Sequence, residues 1–217
     1  LKGIQMLVSL SDELTQTTAR LERMNDGQQT TNQLTMMVYQ SAQRSRGAFR
    51  DTADMVAKLG TLAGSAFDST AEIIAFAEQI NKQMALSGTN TQSAQAAMLQ
   101  LTQAMSSGVL RGDELKSILE QTPMIAQTIA QYMGVTTGEM RNMAAQGQVT
   151  AAVVKNAMLQ AAAETNAQFE QMPMTWGQVW NSFRNTAIMA LNPVLLAAMS
   201  DVGPNDSGLA SGIVNTA

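Results

Sequence analysis

Apolar residues recur three and four positions apart along most of the chain, and strict alternation of apolar and polar residues is absent. The first spacing places an apolar stripe on one face of a helix, whereas a half-buried strand needs a period of two. The dominant residues include Ala, Gln, Met, Leu and Glu, which all favour helix. The pattern therefore predicts an all-α protein: a multi-helix bundle of short helices hinged at glycines, preceded by long helical arms.

The first arm, within residues 1–64, carries leucines at seven-residue spacing. Leu7, Leu14 and Leu21 form about three weak heptads, the minimum that indicates a coiled coil. A single amphipathic helix that packs on its own domain explains the same spacing. The sequence leaves these two alternatives open.

A second, more polar helix is predicted from about residue 30 to residue 59. It carries Arg44, Arg46 and Arg50, which form a small basic face. We interpret this face as a solvated helix surface. A joint follows over residues 60–70, where "GTLAGSAFDST" combines glycines with polar residues.

Residues 65–172 combine capping residues at helix starts with glycines at helix ends. A Ser, Thr or Asp side chain can accept a hydrogen bond from a backbone N–H of the first helical turn. Glycine readily adopts the left-handed conformation that ends many helices. This pattern predicts a compact helical domain whose last helix runs from residue 151 to about residue 172. The predicted caps, here and before the next segment, are Ser69, Asp113, Thr122, Thr136, Thr150 and Thr175, and the predicted joints include Gly88, Gly108, Gly134 and Gly147.

The tripeptide Arg111-Gly112-Asp113 matches a common adhesion signal. Helix signals begin immediately after it, however, and a ligand loop would need to protrude. We expect Gly112 to turn the chain and Asp113 to cap a helix over residues 114–121. The tripeptide is therefore interpreted as a helix start.

Residues 173–200 are predicted to form an apolar, Trp-containing helix in which Arg184 is the only charged residue. Such a stripe packs on the preceding helices, docks a partner or lies at a membrane interface. The scarcity of basic residues disfavours the membrane. Residues 201–217, with dispersed Gly, Pro, Ser and Asn, are predicted to be a flexible tail or a truncated continuation. The candidate partner-docking residues are Trp176, Val179, Trp180, Phe183 and Leu191.

Composition narrows the candidate chemistry. The 217 residues contain no Cys and no His, and the formal net charge is -4. Disulfides, thiolate catalysis and His-based triads or zinc sites are therefore excluded, and a broad nucleic-acid face is disfavoured. No phosphate-binding glycine loop is present, and the carboxylates fall at predicted caps or exposed helix faces. We predict no enzyme activity, no cofactor, and no catalytic or metal-binding residues.

Two segments carry a family resemblance. They are "LRGDELKSILEQTPMIAQTIAQYMGVTTGEMRNMAAQGQVTAAVVKNAM" and "FEQMPMTWGQVWNSFRN". In combination they resemble the N-terminal region of tail tape measure proteins of long-tailed bacteriophages and prophages. The resemblance covers roughly half of the chain directly.

The resemblance implies a structural virion protein of the tail lumen, assembled in the host cytoplasm. It implies roles in tail assembly, tail-length determination and DNA delivery. The implied partners are the tail tube protein, tail assembly chaperones, tail-tip proteins and further copies of the same chain. The alternative interpretation is a helical adaptor or a membrane-active helical protein unrelated to tails.

Overall fold

The computed structural model describes the backbone of residues 2–190 and the side chains of residues 9–190 except residue 91. This part of the chain is almost entirely helical, and the predicted all-α class is confirmed. One turn of 3-10 helix, Gly64–Ala66, lies between the third and fourth helices. The eleven α-helices are α1 (Lys2–Glu22), α2 (Thr31–Arg44), α3 (Phe49–Ala63), α4 (Thr70–Leu86), α5 (Thr91–Ser107), α6 (Gly112–Gln121), α7 (Pro123–Met133), α8 (Thr137–Ala145), α9 (Ala151–Gln160), α10 (Ala162–Gln171) and α11 (Trp176–Ala190).

Helix α4 occupies the centre of the bundle. Eleven of its 17 residues are buried, and it contacts α2, α3, α7, α9 and α10. The buried core is continuous from Leu10 in α1 to Met189 in α11. The core therefore extends across residues 64–65, where the sequence predicts a domain boundary. The boundary itself stays a prediction.

Helix α1 packs within the chain. It contacts α2, α3 and α11, and Leu10, Leu14 and Leu21 are buried in the common core. The leucine spacing that left a coiled coil open thus corresponds, in the described residues, to the amphipathic helix of the alternative interpretation.

Two predicted long helices are interrupted. The helix predicted over residues 30–59 is wrong, because α2 ends at Arg44 and α3 begins only at Phe49. Between them Arg46 adopts a left-handed φ of 55°, which is uncommon for a residue with a Cβ. The helix predicted over residues 151–172 is divided at Ala161 into α9 and α10, and both parts contact α4.

Glycines have two different roles. Gly108 and Gly134 end α5 and α7 in the left-handed conformation, with φ of 83° and 68°, as the predicted stops require. Gly60, predicted as part of a joint, lies inside α3 instead. A Cβ at Gly60 would overlap the side chain of Met24, so this glycine permits the turn after α1 to approach α3 closely.

One short extended contact joins two helix starts. Leu110 N–H donates to the carbonyl of Val149 at 2.7 Å, and Ala151 N–H donates to the carbonyl of Gly108 at 2.8 Å. These bonds flank an isolated antiparallel bridge between Val109 and Thr150. They hold the starts of α6 and α9 side by side.

Candidate docking surface

Helix α11 starts at a reciprocal cap. The hydroxyl of Thr175 accepts the N–H of Gln178 at 3.3 Å, and the side-chain oxygen of Gln178 accepts the N–H of Thr175 at 3.1 Å. The two bonds satisfy donors that the first helical turn leaves free. They fix the point at which the chain leaves α10 and turns into α11.

The inward face of α11 is unusually polar. Asn185 is almost completely buried, with 1% of its surface exposed. Its Oδ1 accepts the N–H of Phe49 at 2.7 Å, and its Nδ2 donates to the carbonyl of Gly47 at 2.8 Å. One amide side chain therefore provides hydrogen-bond partners for two backbone groups at the α2–α3 turn, the Gly47 carbonyl and the Phe49 N–H.

Further polar contacts hold the same helix in place. Arg184 forms an ion pair with Glu13 of α1 at 2.7 Å. Gln43 of α2 donates to the hydroxyl of Thr186 at 3.3 Å. Apolar anchoring is confined to the end of α11, where Ile188 and Met189 enter the core. Polar and apolar contacts on the inward face of α11 thus hold this helix against α1, α2 and the core.

The outward face of α11 is apolar. Trp176, Val179, Trp180 and Phe183 are 89%, 43%, 56% and 60% exposed. The rings of Trp180 and Phe183 stack, with centroids 5.5 Å apart. The spacing i, i+3, i+4 and i+7 places these side chains along one stripe, which we name the Trp face. Leu191, also predicted for this stripe, lies outside the described residues, as do residues 192–217.

The turn preceding α11 is held by Arg46. Its guanidinium lies 4.5 Å from the ring centroid of Phe169 in α10 and donates to the carbonyl of Met172 at 2.7 Å. A cation over an aromatic face is attracted by the ring quadrupole. The sequence placed Arg46 on a solvated basic face. The structure shows instead that Arg46 joins the α2–α3 turn to the end of α10.

Arg44 is likewise engaged, in a charged cluster between α2, α4 and α10. Glu78 accepts two bonds from Arg44 Nε and Nη2, at 3.0 and 2.7 Å to its Oε2, and one from Lys82 at 2.7 Å. Lys82 also donates to Asn166 at 2.7 Å. Burial alone would raise the pKa of Glu78, but the bonds from Arg44 and Lys82 outweigh it and hold this pKa below its ordinary value.

Sequence reasoning missed Glu78, Lys82 and Asn185. Each is a polar residue that sequence alone assigns to a solvated face, yet each is buried. The one signal in the sequence is that each of these residues lies on the same helix face as apolar residues that are buried. Glu78 and Lys82 are 4 residues apart, and local pattern can identify that contact. Arg44 is 34 residues from Glu78, Asn166 is 84 from Lys82, and Phe49 is 136 from Asn185, so local pattern cannot identify these contacts.

Four of the predicted caps accept a first-turn N–H. The hydroxyl of Thr136 accepts the N–H of Glu139 at 3.2 Å, and the Glu139 carboxylate accepts the N–H of Thr136 at 2.8 Å. This backbone bond lowers the pKa of Glu139. The other three capping side chains are Ser69, Thr150 and Thr175, which accept from Glu72, Val153 and Gln178.

The other two predicted caps make no capping bond with their side chains, and only Asp113 is misplaced. Asp113 lies inside the first turn of α6, because the helix begins at Gly112 and Arg111 occupies the N-cap position. Glu114 serves this end instead, since its carboxylate accepts the Arg111 N–H at 2.7 Å. Thr122 occupies the N-cap position of α7, with Pro123 as the first helical residue, as predicted. Its hydroxyl, however, donates back to the carbonyl of Ile118 at 3.1 Å and accepts no N–H of α7.

Two other features are absent from the described residues. Within residues 2–190, no group of three or more acidic, His or Cys side chains is arranged to hold a metal ion. None of the helices in that range is long and apolar enough to cross a bilayer.

The fold and the Trp face define an all-α structural module that presents an apolar helix surface. A family model described as "Tape measure protein" matches residues 5–194. The chain belongs to this family, and it is a phage tail component of structural type. Membership implies contact with other tail components and displaces the interpretation as an adaptor unrelated to tails. No curated protein and no solved structure matches the chain.

Proposed function

We propose that this chain is a folded assembly module of a phage tail tape measure protein, and that its Trp face docks another tail component. The module contributes to tail assembly and tail-length determination, and to DNA delivery, without enzyme activity or a cofactor. Its assembly takes place in the host cytoplasm before it resides in the tail lumen. The candidate partners are the tail tube protein, tail assembly chaperones, tail-tip proteins and further copies of the chain.

The observation that carries the docking role is the orientation of α11. A helix that served only its own core would bury Trp176, Trp180 and Phe183 and expose Asn185; here the reverse holds. Burying the exposed apolar area of the Trp face would contribute about 25 cal/mol per Å² before the costs of association. Aromatic residues at the centre of an apolar patch commonly dominate binding.

The experiment replaces Trp176 and Trp180 by Ser in the phage that encodes the chain. Because both side chains are largely in solvent, the fold should survive, and tails should fail to assemble. Intact tails are counted by electron microscopy. The matched control is Leu62→Ser with Leu99→Ser, which alters two other exposed apolar residues, 59% and 57% exposed, on α3 and α5. Normal tails in the Trp variant would exclude the docking role.

A further inference from the structure

We propose that the groove between α2 and α4 is a second docking site, which binds the carboxamide side chain of a glutamine in a partner polypeptide. No residue of the Trp face lines this groove, so the proposal is independent of the docking role given to that face. A glutamine side chain matches three properties of the groove: an apolar part of its lining, an unpaired acceptor and an unpaired donor.

The groove has a volume of about 270 Å³, and one part of its lining is apolar. Ala71, Ile74 and Ala75 of α4 contribute to this part together with Met37 of α2. The spacing of the three α4 residues places them on one face of the helix. This part of the groove can cover the methylene groups of a side chain that ends in a polar group.

Gln79 contributes an acceptor without a partner. Only 5% of its surface is exposed, and its Oε1 accepts no hydrogen bond within the described residues. A buried acceptor that loses its bond to water and gains no other destabilises the fold, so such an atom calls for an explanation. A donor on a ligand in the groove that Gln79 lines provides one.

The surrounding bonds determine which atom of the Gln79 amide is unpaired. The ammonium of Lys82 can only donate, so the Asn166 atom that it contacts at 2.7 Å is the oxygen. The same Asn166 oxygen lies 3.4 Å from the nitrogen of Gln79. Reversing the Gln79 amide would bring two oxygens together, so the unpaired atom is the oxygen.

Arg44 contributes donors that the protein leaves unused. Its Nε and Nη2 donate to Glu78, whereas its Nη1 donates to no atom of the described residues. The Arg44 side chain is 54% exposed and lines the same groove. Glu78 is already occupied by Arg44 and Lys82, so one of the three charges, a positive one, has no counter-charge within this cluster.

A carboxamide complements both groups, because it carries a donor and an acceptor in one plane. Its N–H can donate to the Gln79 oxygen while its own oxygen accepts from Arg44 Nη1. A carboxylate would leave Gln79 unpaired and place a second acceptor beside it, and an ammonium would be repelled by Arg44. Glutamine adds a stem of two methylene groups for the apolar part of the lining.

Nuclear magnetic resonance of the ¹⁵N-labelled full chain tests the proposal, with N-acetylglutamine methylamide as the probe. The probe should shift the side-chain N–H signals of Gln79 and Arg44 and saturate with a Kd on the order of millimolar, as befits so small a ligand. N-acetylglutamate methylamide and N-acetylnorleucine methylamide are the matched probes. Each should bind at least about threefold more weakly, because each loses at least one of the two hydrogen bonds.

Gln79→Met removes the amide and keeps the approximate shape of the side chain. Because Oε1 has no partner and Nε2 makes only one long bond, the thermal midpoint should stay unchanged or rise. Affinity for the glutamine probe should fall to that for the norleucine probe. The control is Gln103→Met, at an exposed position of α5, which should change neither quantity.

Four results would overturn the proposal. Absence of shifts at Gln79 and Arg44 would mean that water alone occupies the groove. Equal or tighter binding of the glutamate probe would mean a site for anions at Arg44. Tighter binding of free L-glutamine would point to a small molecule as the ligand. A lower thermal midpoint of Gln79→Met with unchanged affinity would assign Gln79 to the fold alone.

Discussion

The side-chain oxygen of Asn185 accepts the backbone N–H of Phe49 at 2.7 Å, across 136 residues of sequence. Phe49 opens α3 and is completely buried. The bond therefore joins the last described helix to the start of an early one. It also fixes the rotation of α11, because Asn185 can face inward only if Trp180 and Phe183 face outward.

Asn185→Leu should lower the free energy of unfolding by about 2–4 kcal/mol, because the Phe49 N–H and the Gly47 carbonyl lose their partner in a buried site. Asn181→Leu is the control: its amide is half-buried and makes one long bond, 3.4 Å, to the Arg46 carbonyl. That change should cost less than about 0.5 kcal/mol. Urea unfolding followed by circular dichroism measures both, and equal effects would mean that Asn185 does not anchor α11.

Gly60→Ala should destabilise the fold by about 1–3 kcal/mol, because the new Cβ overlaps Met24 and forces the turn after α1 away from α3. Gly64→Ala provides the contrast. It has open space around its Cβ position and an ordinary helical φ of -55°. That substitution should be neutral or stabilising by up to about 1 kcal/mol. Thermal unfolding of the two variants measures the difference in stability. An unchanged stability of Gly60→Ala would show that the structure has room for a Cβ at this position.

The sequence predicted features that depend on neighbouring residues. The caps at Thr136 and Thr150 and the stops at Gly108 and Gly134 follow from the chemistry of one helical turn, which is visible in four residues. Asp113 shows the limit of this reasoning. Capping residues are recognised by type, and the true start lay two residues earlier, with Glu114 closing the first turn.

Features set by distant contacts were not predictable. The break at Arg46 depends on Phe169 and Met172, more than 120 residues away. Gly60 was misplaced and Glu78 was missed for the same reason. Met24, in the turn after α1, packs on Gly60, and α2 and α10 surround Glu78. The sequence predicted the residues of the Trp face as far as Phe183. It did not predict that this face points outward, because that orientation depends on the contacts of Asn185 with Phe49 and of Arg184 with Glu13.

Glu78→Gln should lower the free energy of unfolding by about 1.5–3 kcal/mol at pH 7, since Lys82 remains buried beside a neutral partner. The pKa of Glu78 is lowered in the folded state, so its stabilising contribution is present above the ordinary value of 4.5 and is lost as pH falls through the folded-state pKa. The gap between unmodified protein and variant should therefore hold from pH 7 to about 4.5 and shrink below it.

Urea titrations at several pH values measure that gap. Glu120→Gln, a change at an exposed position of α6, is the control and should show a gap near zero throughout. A gap for Glu78→Gln that grows as the pH falls below 4.5 would contradict the assigned ion cluster.

Thr136→Ala should cost about 0.5–2 kcal/mol, because the Glu139 N–H loses its capping hydroxyl. Asp113→Ala should cost less, about 0.3–1 kcal/mol, since Asp113 only places a negative charge in the first turn of α6. Paired thermal unfolding curves rank the two variants. A larger loss for Asp113→Ala would restore Asp113 as the cap.

The central claim is that residues 2–190 form a folded assembly module rather than an extended part of a ruler. The most direct measurement is tail length by electron microscopy after deletion of residues 91–171, which removes α5 to α10, in the phage that encodes the chain. As a continuous helix these 81 residues would contribute about 120 Å. In the folded module they double back, and their loss exposes the core of α3 and α4. We therefore expect few or no tails; normal yields of tails shortened by about 120 Å would contradict the folded module.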